Sequence, residues 1–487
     1  GAVVRASRGR LSAADPTVTV GSAQNAQPVA STFLGFSFEY WALPDYAGTN
    51  SGAIDPVFER LLGNLTDGRP TVIRIGGIAT DHTWWPVQGL RPSPAVYYTV
   101  TRRRLEVVAA LARAANAHLI MGVNFEADSS VEAAAESRAT MTVIGRRLVE
   151  GIELGNEPED YNNPFFPFYK LDGNEVLGRP ASWDFQLYLS DYQHIAAGLG
   201  NVPLAGPAIG AYSWLAYLGQ YLNAEHVSVV TLHTYPLQAC GFRPGEPGYP
   251  SIPHLLSSAS SIGLADALQP YVALAHAHGE LVRSAEMNSV SCGRVPRTAN
   301  TFASALWVLD AWFAMASVGL DGVNIHIYPG VADQLFSINH AHGRWTADVA
   351  PEYYGVLMFS QAAPPGSHLL QVSGISGRGT LRAWATRTPS GGTRVVLIND
   401  AVDHPQYVTL RLPQSMGALT VERLEAPSVT STSGVTIGGQ TFGSQTTTGR
   451  LSQRFVAGTS PGDKLSAAAR TYRIRLPAAS AAMLTFS

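Results

Sequence analysis

Three glutamates follow directly on short apolar runs of the chain. Glu39 ends FLGFSFE, Glu157 lies in IELGNEPE, and Glu286 lies in VRSAEMNS. Two carboxylates that face each other across a pocket can cleave a glycosidic bond, because one protonates the leaving oxygen while the other attacks or activates water. Glu157 and Glu286 form the best candidate pair for this chemistry.

Two neighbouring acids compete with Glu157 for the role of proton donor. Glu153 lies deeper in the same apolar run, and Glu159 follows Pro158, where the chain turns away. Neither position suits a group that must reach a substrate from the end of a strand. We therefore keep Glu157 as the predicted acid.

The elements that position these acids alternate between strands and helices from about residue 30 to residue 330. Helical patterns such as Thr101–Asn116 separate eight short, apolar, β-branched runs. The predicted strands are Phe33–Phe38, Thr71–Ile75, His118–Phe125, Gly151–Leu154, Val202–Ala205, Val227–His233, Leu281–Ala285 and Gly322–Tyr328. Eight such repeats favour a (β/α)8 barrel, whose active sites lie at the carboxyl ends of the strands. Glu157 and Glu286 would then face each other from the fourth and seventh strands.

The remaining sequence predicts a second, all-β domain. From about residue 365 the helical pattern stops, and alternating strand-like segments follow between Ser/Thr/Gly-rich turns. The early segment Thr17–Gly21 is also strand-like and is expected to join this β-sandwich. The predicted division is residues 1–28 for the strands that join the sandwich, 29–350 for the catalytic barrel, and 351–487 for the sandwich.

Composition excludes several classes of protein. The net charge is −3, and the only lysines, Lys170 and Lys464, lie outside any P-loop motif. A nucleic-acid partner, an anionic membrane surface and a P-loop nucleotide are therefore not expected. The pairs His276/His278 and His340/His342 lack the further ligands of a metal site, so we predict neither metal nor cofactor.

The segment Thr301–Leu320 and the two cysteines need separate consideration. The segment is twenty residues long with Asp310 as its single charge, which at the centre of a bilayer would cost about 2.5–3.5 kcal/mol. A buried helix of the large domain explains it better than a membrane span. Cys240 and Cys292 follow the sixth and seventh strands, so a disulfide that pins two loops is favoured over a reactive thiol.

The ordered motifs FSFEYW, RIGG followed by Asp81, LGNEPE, HTYP and SAEMNS resemble those of retaining (β/α)8 glycosidases. Within that clan, the chain is most similar to the heparanase and β-glucuronidase group, glycoside hydrolase family 79 and its near relatives. The resemblance implies that Glu157 is the general acid/base and that Glu286 is the nucleophile of a covalent glycosyl-enzyme intermediate.

The same resemblance implies contacts to the sugar. Asn156 would bind the 2-hydroxyl, Glu39 and Asp81 would bind distal hydroxyls, and Trp84 or Trp85 would form an aromatic wall. Tyr235 either orients Glu286 or is an ordinary aromatic residue of the pocket. The resemblance further implies a secreted or periplasmic monomer that acts on a carbohydrate or glycoside.

The sequence leaves three hypotheses open for the substrate and the function. The segment after the nucleophile, Ser289–Arg297, lacks the tyrosine that the bacterial β-glucuronidases of the group carry there. Tyr328, Arg294 or Arg297 would have to meet the carboxylate of a glucuronide. The alternatives are a β-glucosidase or a diglycosidase that releases rhamnosyl-glucose from plant flavonoid glycosides, and a non-catalytic carbohydrate-binding protein.

Overall fold

The computed structural model describes residues 4–6, 15–165, 167–292, 295–375, 379–454, 456–460, 462–465 and 469–486. A closed barrel of eight parallel strands forms its centre, and each strand pairs with the next along the chain. The barrel strands are β1 (Leu34–Glu39), β2 (Thr71–Gly76), β3 (Ala117–Val123), β4 (Val149–Leu154), β5 (Leu204–Ile209), β6 (Val229–Thr234), β7 (Leu281–Met287) and β8 (Gly322–Ile327). The prediction of a (β/α)8 barrel is confirmed, with each predicted strand overlapping an observed one.

Helices surround the barrel because each buries one apolar face against it. The helix Arg102–Ala114 begins where the Thr101 side chain accepts a hydrogen bond from the Arg104 amide, and it buries Leu105 and Leu111. The other longer helices are Pro56–Thr66, Ser130–Ile144, Phe185–Gly198, Leu218–Ala224, Ile262–Ala277, Phe302–Ser317 and Pro351–Ala362. Short helices and helical turns occupy Tyr40–Ala42, Leu43–Ala47, Ile78–His82, Pro158–Asp160, Tyr212–Leu215, Ile252–Leu255 and Ser258–Ser260.

The helix Phe302–Ser317 is buried along almost its whole length. Its one acid, Asp310, accepts hydrogen bonds from Ser261 at 2.5 Å and from Trp384 at 2.7 Å, and it lies 3.3 Å from Arg382. These partners compensate the charge inside the protein. Within the described ranges, the longest apolar helices fall short of what a bilayer crossing requires.

Pairs of short strands lie in the loops that follow the carboxyl ends of barrel strands. They are Thr83–Trp84 with Tyr98–Thr99, Tyr169–Leu171 with Asn174–Val176, Leu237–Gln238 with Val290–Ser291, and Phe336–Ala341 with Arg344–Val349. The loops that carry them form the rim of the pocket above the strands.

The second domain is the all-β sandwich that the sequence predicts. Its strands are His368–Ser373, Leu381–Arg387, Thr393–Asn399, Gln406–Met416, Leu419–Glu425, Thr436–Ile437, Gln440–Thr441, Ser452–Gln453, Gly462–Leu465, Ala469–Leu476 and Ser480–Phe486. Two N-terminal strands join them: Val4–Ala6 pairs with Ala469–Leu476, and Thr17–Gln24 lies between Gln406–Met416 and His368–Ser373. The expectation that the N-terminal strand joins the sandwich is thus confirmed.

The helix Pro351–Ala362 belongs with the barrel, although the predicted boundary assigned it to the sandwich. The Phe359 ring lies 5.5 Å from that of Trp312 and 5.0 Å from that of Phe313, both on the barrel helix Phe302–Ser317. This apolar contact fixes the helix to the outer ring of the barrel. The C-terminal strands of the second domain therefore begin at His368, later than the predicted boundary at residue 351.

Candidate active site

Glu157 leaves the end of β4 in an unusual backbone conformation. Its φ of 47° and ψ of 58° are left-handed, and its amide donates to the Ala208 carbonyl of β5 at 2.9 Å. A non-glycine residue in this region costs about 1–3 kcal/mol and persists only where the surroundings hold it. Pro158 follows and begins a single helical turn, so the chain bends sharply at the candidate acid.

Glu286 lies on β7, where the barrel is locally irregular. The pairing of β7 with β6 shifts register so that His233 faces Glu286, and the pairing with β8 shifts between Ser284 and Met287. The Glu286 side chain is 10 % exposed, and both of its oxygens have partners. Tyr235 donates to Oε1 at 2.9 Å, and Arg74 donates to Oε2 at 2.8 Å.

The two glutamates approach each other closely. One carboxylate oxygen of Glu157 lies within 4.8 Å of one of Glu286. Carboxyl groups about 5–5.5 Å apart are typical of retaining glycosidases, whereas inverting enzymes need about 6.5–9.5 Å for a water molecule. Oxygens this close agree with the retaining arrangement, in which one glutamate attacks directly and the other transfers the proton.

The two carboxyl groups have opposite pKa shifts. Burial, together with the charge of Glu286, raises the pKa of Glu157 to about 8. Burial alone would raise the pKa of Glu286 as well, but His326, His233 and Arg74, together with the Tyr235 hydrogen bond, outweigh it and lower that pKa. At neutral pH, Glu157 therefore holds a proton and Glu286 is a carboxylate, which are the states that a general acid and a nucleophile need.

Arg74 organises the floor of the pocket from inside β2. It donates to Glu153 at 2.6 Å, to Glu286 at 2.8 Å and to the Asn156 side-chain oxygen at 2.8 Å. Its side chain is fully buried, so the two carboxylates compensate its charge. Sequence reasoning passed over Arg74, although an arginine within the apolar run of RIGG was a visible signal.

The structure also accounts for the two acids that competed with Glu157. Glu153 is fully buried and engaged by Arg74. Glu159 accepts hydrogen bonds from the backbone amides of Gly210 at 2.5 Å and Ala211 at 2.7 Å, which fixes the loop after β5. Both acids therefore have supporting roles behind Glu157.

Comparisons with known proteins agree with this geometry. Residues 383–483 match the glycosyl hydrolase family 79 C-terminal beta domain. A β-glucuronidase of Aspergillus niger is 24 % identical over 482 residues, covering 86 % of this chain and 84 % of the relative. A β-glucuronidase of Neurospora crassa is also 24 % identical, covering 78 % of this chain and 74 % of its own length.

Solved structures share the complete fold. A 4-O-α-L-rhamnosyl-β-D-glucuronidase from Fusarium oxysporum has a TM-score of 0.73 at 19 % identity, covering 96 % of this chain and 100 % of that chain. A family 51 arabinofuranosidase from Xanthomonas axonopodis has a TM-score of 0.63 at 12 % identity, covering 97 % and 99 %. The chain is a glycoside hydrolase, and its C-terminal domain matches that of family 79.

Two histidines of this glycosidase, neither singled out from the sequence, flank the acid pair. His233 Nδ1 lies 2.9 Å from Glu157 Oε1 and 3.8 Å from Glu286 Oε2. His326 Nδ1 lies 3.8 Å from Glu286 Oε2, and its Nε2 lies 3.5 Å from Glu39 Oε1. Burial lowers the pKa of His233 to about 4, so this ring is neutral at neutral pH. The motif HTYP contained His233, and the end of β8 contained His326.

The structure holds three of the predicted sugar contacts at the pocket. Asn156 is oriented by Arg74, as described above, and Tyr235 hydrogen-bonds Glu286. Glu39, at the end of β1, accepts hydrogen bonds from the backbone amides of Ile78 at 3.2 Å and Ala79 at 2.8 Å. The sugar-binding roles of Asn156 and Glu39 stay predictions.

Asp81, also predicted to contact the sugar, is surrounded by protein donors. Its side chain accepts hydrogen bonds from the backbone amides of Phe125, Glu126 and Asn156 and from the Tyr161 hydroxyl, at 2.7–3.1 Å. The residue is 2 % exposed. With both oxygens used by protein donors, Asp81 fixes the backbone at Asn156, beside the acid. Its role as a sugar contact stays a prediction.

The remaining predicted residues lie on the rim of the barrel. Trp84 is half-buried on its short strand, and the Tyr328 ring lies 5.7 Å from that of Trp41 and 5.8 Å from that of His326. Cys240 and Cys292 form a disulfide with a Cα–Cα distance of 5.8 Å, which joins the loops after β6 and β7. Arg297 is exposed, and Arg294 lies outside the described residues.

Among the residues that the structure describes, one group could offer three ligand atoms to a metal ion. It consists of Glu157, His233 and Glu286, with those atoms within 4.8 Å of one another. The Arg74 guanidinium donates to Glu286 and places a positive charge beside this group. The donor set therefore suits proton transfer and nucleophilic attack better than it suits a resident cation.

Proposed function

We propose that this enzyme hydrolyses β-glucuronides with retention of anomeric configuration. The observation that carries the mechanism is the close approach of Glu157 and Glu286 with opposite pKa shifts. The β-glucuronidases of two fungi, aligned with 86 % and 78 % of this chain, support glucuronic acid as the sugar.

The first step forms a covalent intermediate. A Glu286 oxygen attacks the anomeric carbon, the bond from that carbon to the leaving oxygen breaks, and the leaving oxygen takes the proton of Glu157. Arg74 and Tyr235 hold the two oxygens of Glu286 and thereby fix the direction of attack. Asn156, oriented by Arg74, is placed beside the acid to bind the 2-hydroxyl of the sugar.

The second step reverses the roles at the same atoms. Once Glu286 is esterified, its charge no longer raises the pKa of Glu157, so Glu157 can accept a proton from water. The oxygen of that water then bonds the anomeric carbon, and Glu286 leaves as a carboxylate. Two successive inversions return the starting configuration.

We infer that the side of the pocket formed by β7 and β8 binds the carboxylate of the glucuronide. Arg74 donates hydrogen bonds to Glu153, Glu286 and Asn156. We infer that Tyr328, whose ring lies 5.8 Å from that of His326 at the end of β8, meets the carboxylate with its hydroxyl. A neutral sugar would not need this contact.

The decisive experiment compares three aryl β-glycosides: the glucuronide, the glucoside and the 6-O-rhamnosyl-glucoside. Each is assayed with wild type, Glu286→Gln, and Glu106→Gln as a control at an exposed surface glutamate. Turnover of the glucuronide alone, lost in Glu286→Gln and kept in the control, supports the proposal. Turnover of a neutral glycoside alone assigns the alternative substrate, and ¹H NMR of the first-formed anomer tests retention.

A non-catalytic carbohydrate-binding protein would behave differently in the same assay. It would bind sugars without turnover, and Glu286→Gln would match wild type. The Cys240–Cys292 disulfide supports our further inference of an oxidising compartment such as the periplasm or the extracellular space. Thiol titration of protein from its native source tests this inference, since two free thiols would contradict it. The monomeric state stays a prediction.

A further inference from the structure

His326 lies between the nucleophile and a carboxylate predicted to bind the sugar. It is the fifth residue of the six-residue strand β8, which pairs with β7 on one side and with β1 on the other. Its ring is buried, with Nδ1 2.8 Å from the Ser37 hydroxyl and 3.8 Å from Glu286 Oε2. Nε2 lies 3.5 Å from Glu39 Oε1.

Titratable and charged groups face this ring from several strands. They are Glu286 on β7, Glu39 on β1, Arg74 on β2, His233 on β6, Glu157 after β4 and Asp333 after β8. Burial alone would lower the pKa of His326, but Glu286 and Glu39 outweigh both burial and Arg74 and raise it. His233 Nδ1 lies at the same 3.8 Å from Glu286 Oε2, but at that ring burial outweighs the attraction of Glu286 and Glu153 and lowers the pKa.

We propose that His326 is a positioning residue which, as an imidazolium, ties the nucleophile Glu286 to the sugar-binding carboxylate Glu39. The cation stabilises the ionised form of Glu286. It keeps its proton throughout the reaction and does not touch the bond that breaks. This role deepens the proposed function, on which its catalytic part rests.

The cation acts unequally on the two chemical steps. When the glycosyl-enzyme forms, Glu286 loses its charge, and the attraction to the imidazolium is lost with it. When the intermediate breaks down, Glu286 regains its charge, and the same attraction assists its departure. Interactions that are stronger in one state than in another change rates. His326 should therefore assist deglycosylation and slightly oppose glycosylation.

The kinetic test uses His326→Gln, which removes the charge but keeps a side chain that can hydrogen-bond Ser37. We expect slower deglycosylation, so that kcat and KM fall together and a burst of released aryl alcohol equals the enzyme concentration. The acid limb of the kcat/KM profile should move up by about 1 to 3 pH units, the usual effect of an adjacent opposite charge on a carboxyl group. His226→Gln, at a histidine with 90 % side-chain exposure, is the control expected to match wild type.

A measurement without turnover separates this proposal from the proposed function. In ¹⁵N-histidine-labelled wild type, His326 should lose its proton at a higher pH than an ordinary histidine does, and in Glu286→Gln it should lose the proton at a lower pH than in wild type. A His326 that stays neutral in both proteins overturns the proposal, as does an unchanged acid limb in His326→Gln. If no glucuronide is cleaved, the proposed function fails, while the titration still decides the charge of His326. The same titration serves if His326→Gln does not fold.

Discussion

The two sides of the catalytic pocket use the same residue type in opposite charge states. On the side of β4 to β6, Glu157 faces the neutral ring of His233. On the side of β7, β8 and β2, Glu286 faces His326 and Arg74, and His233 lies between the two glutamates. Both carboxyl groups are largely withdrawn from water, so burial acts on both in the same direction.

The difference shows that neighbouring charge, more than burial, assigns the roles of acid and nucleophile. Burial raises the pKa of either glutamate, and only Glu286 has enough positive charge nearby to reverse that effect. Ionised Glu286 then raises the pKa of Glu157 further. The two sides are therefore coupled, and a change on one side should alter the other.

The largest expected effect is loss of the nucleophile. Glu286→Gln removes the attacking oxygen's charge and should lower kcat by about 10⁴- to 10⁶-fold, as removal of nucleophiles does in other covalent enzymes. Stopped assays with the preferred aryl glycoside measure this fall in kcat. Because Glu157 then lacks its charged neighbour, the alkaline limb of the residual activity should move to a pH below about 8. A loss below tenfold would contradict the assignment.

Loss of the acid should be smaller and should depend on the substrate. Glu157→Gln should lower kcat/KM by about 10²- to 10⁴-fold for poor leaving groups, because general acid catalysis supplies that range. It should have little effect on kcat/KM for dinitrophenyl glycosides, whose leaving oxygen needs no proton. A series of aryl glycosides graded by leaving-group pKa provides the measurement. An equal loss across the series would mean that Glu157 is not the proton donor.

A smaller loss of activity is expected from a substitution on the nucleophile side of the pocket alone. Tyr235→Phe removes the hydrogen bond to Glu286 Oε1, and such bonds to charged groups contribute about 1.5–3 kcal/mol. We expect kcat to fall by about 10- to 100-fold, with the acid limb of the pH profile displaced upward because Glu286 ionises less readily. Tyr407→Phe, at a half-exposed tyrosine of the sandwich, is the matched control.

A separate effect should appear in stability, with opposite signs on the two sides. The pKa of Glu157 rises from 4.5 to about 8 on folding, so its ionisation lowers the free energy of unfolding as pH rises through that interval. Glu157→Gln should therefore be increasingly more stable than wild type from pH 4.5 to pH 8.

For Glu286, the lowered pKa stabilises the fold above its ordinary value of 4.5, and this contribution is lost as pH falls below it. Glu286→Gln should be less stable than wild type at neutral pH, and the two should converge in acid. Thermal unfolding of both variants across pH tests the pair. Parallel curves for the two variants would show that their environments do not differ as described.

Much of this architecture could be predicted from local sequence. Apolar runs that end in polar residues mark strands and their carboxyl ends, so the eight barrel strands and the positions of Glu157 and Glu286 were visible without coordinates. The turn after β4 was likewise marked by Pro158 directly after the acid. The helix Pro351–Ala362 was misassigned because its contact with the Trp312 and Phe313 rings is not written into its own pattern.

Only the tertiary structure decided the partners and charges of these residues. Arg74 hydrogen-bonds Glu286 across a sequence separation of 212 residues, and Ser37 hydrogen-bonds His326 across 289 residues. Closure of the barrel brings these groups together, and no local pattern encodes such distances. Asp81 shows the same limit, because its position after RIGG indicated a sugar contact, whereas the fold surrounds it with protein donors. The local sequence pattern determined that the two acids lie at the ends of barrel strands, and long-range packing determined which of them carries the proton.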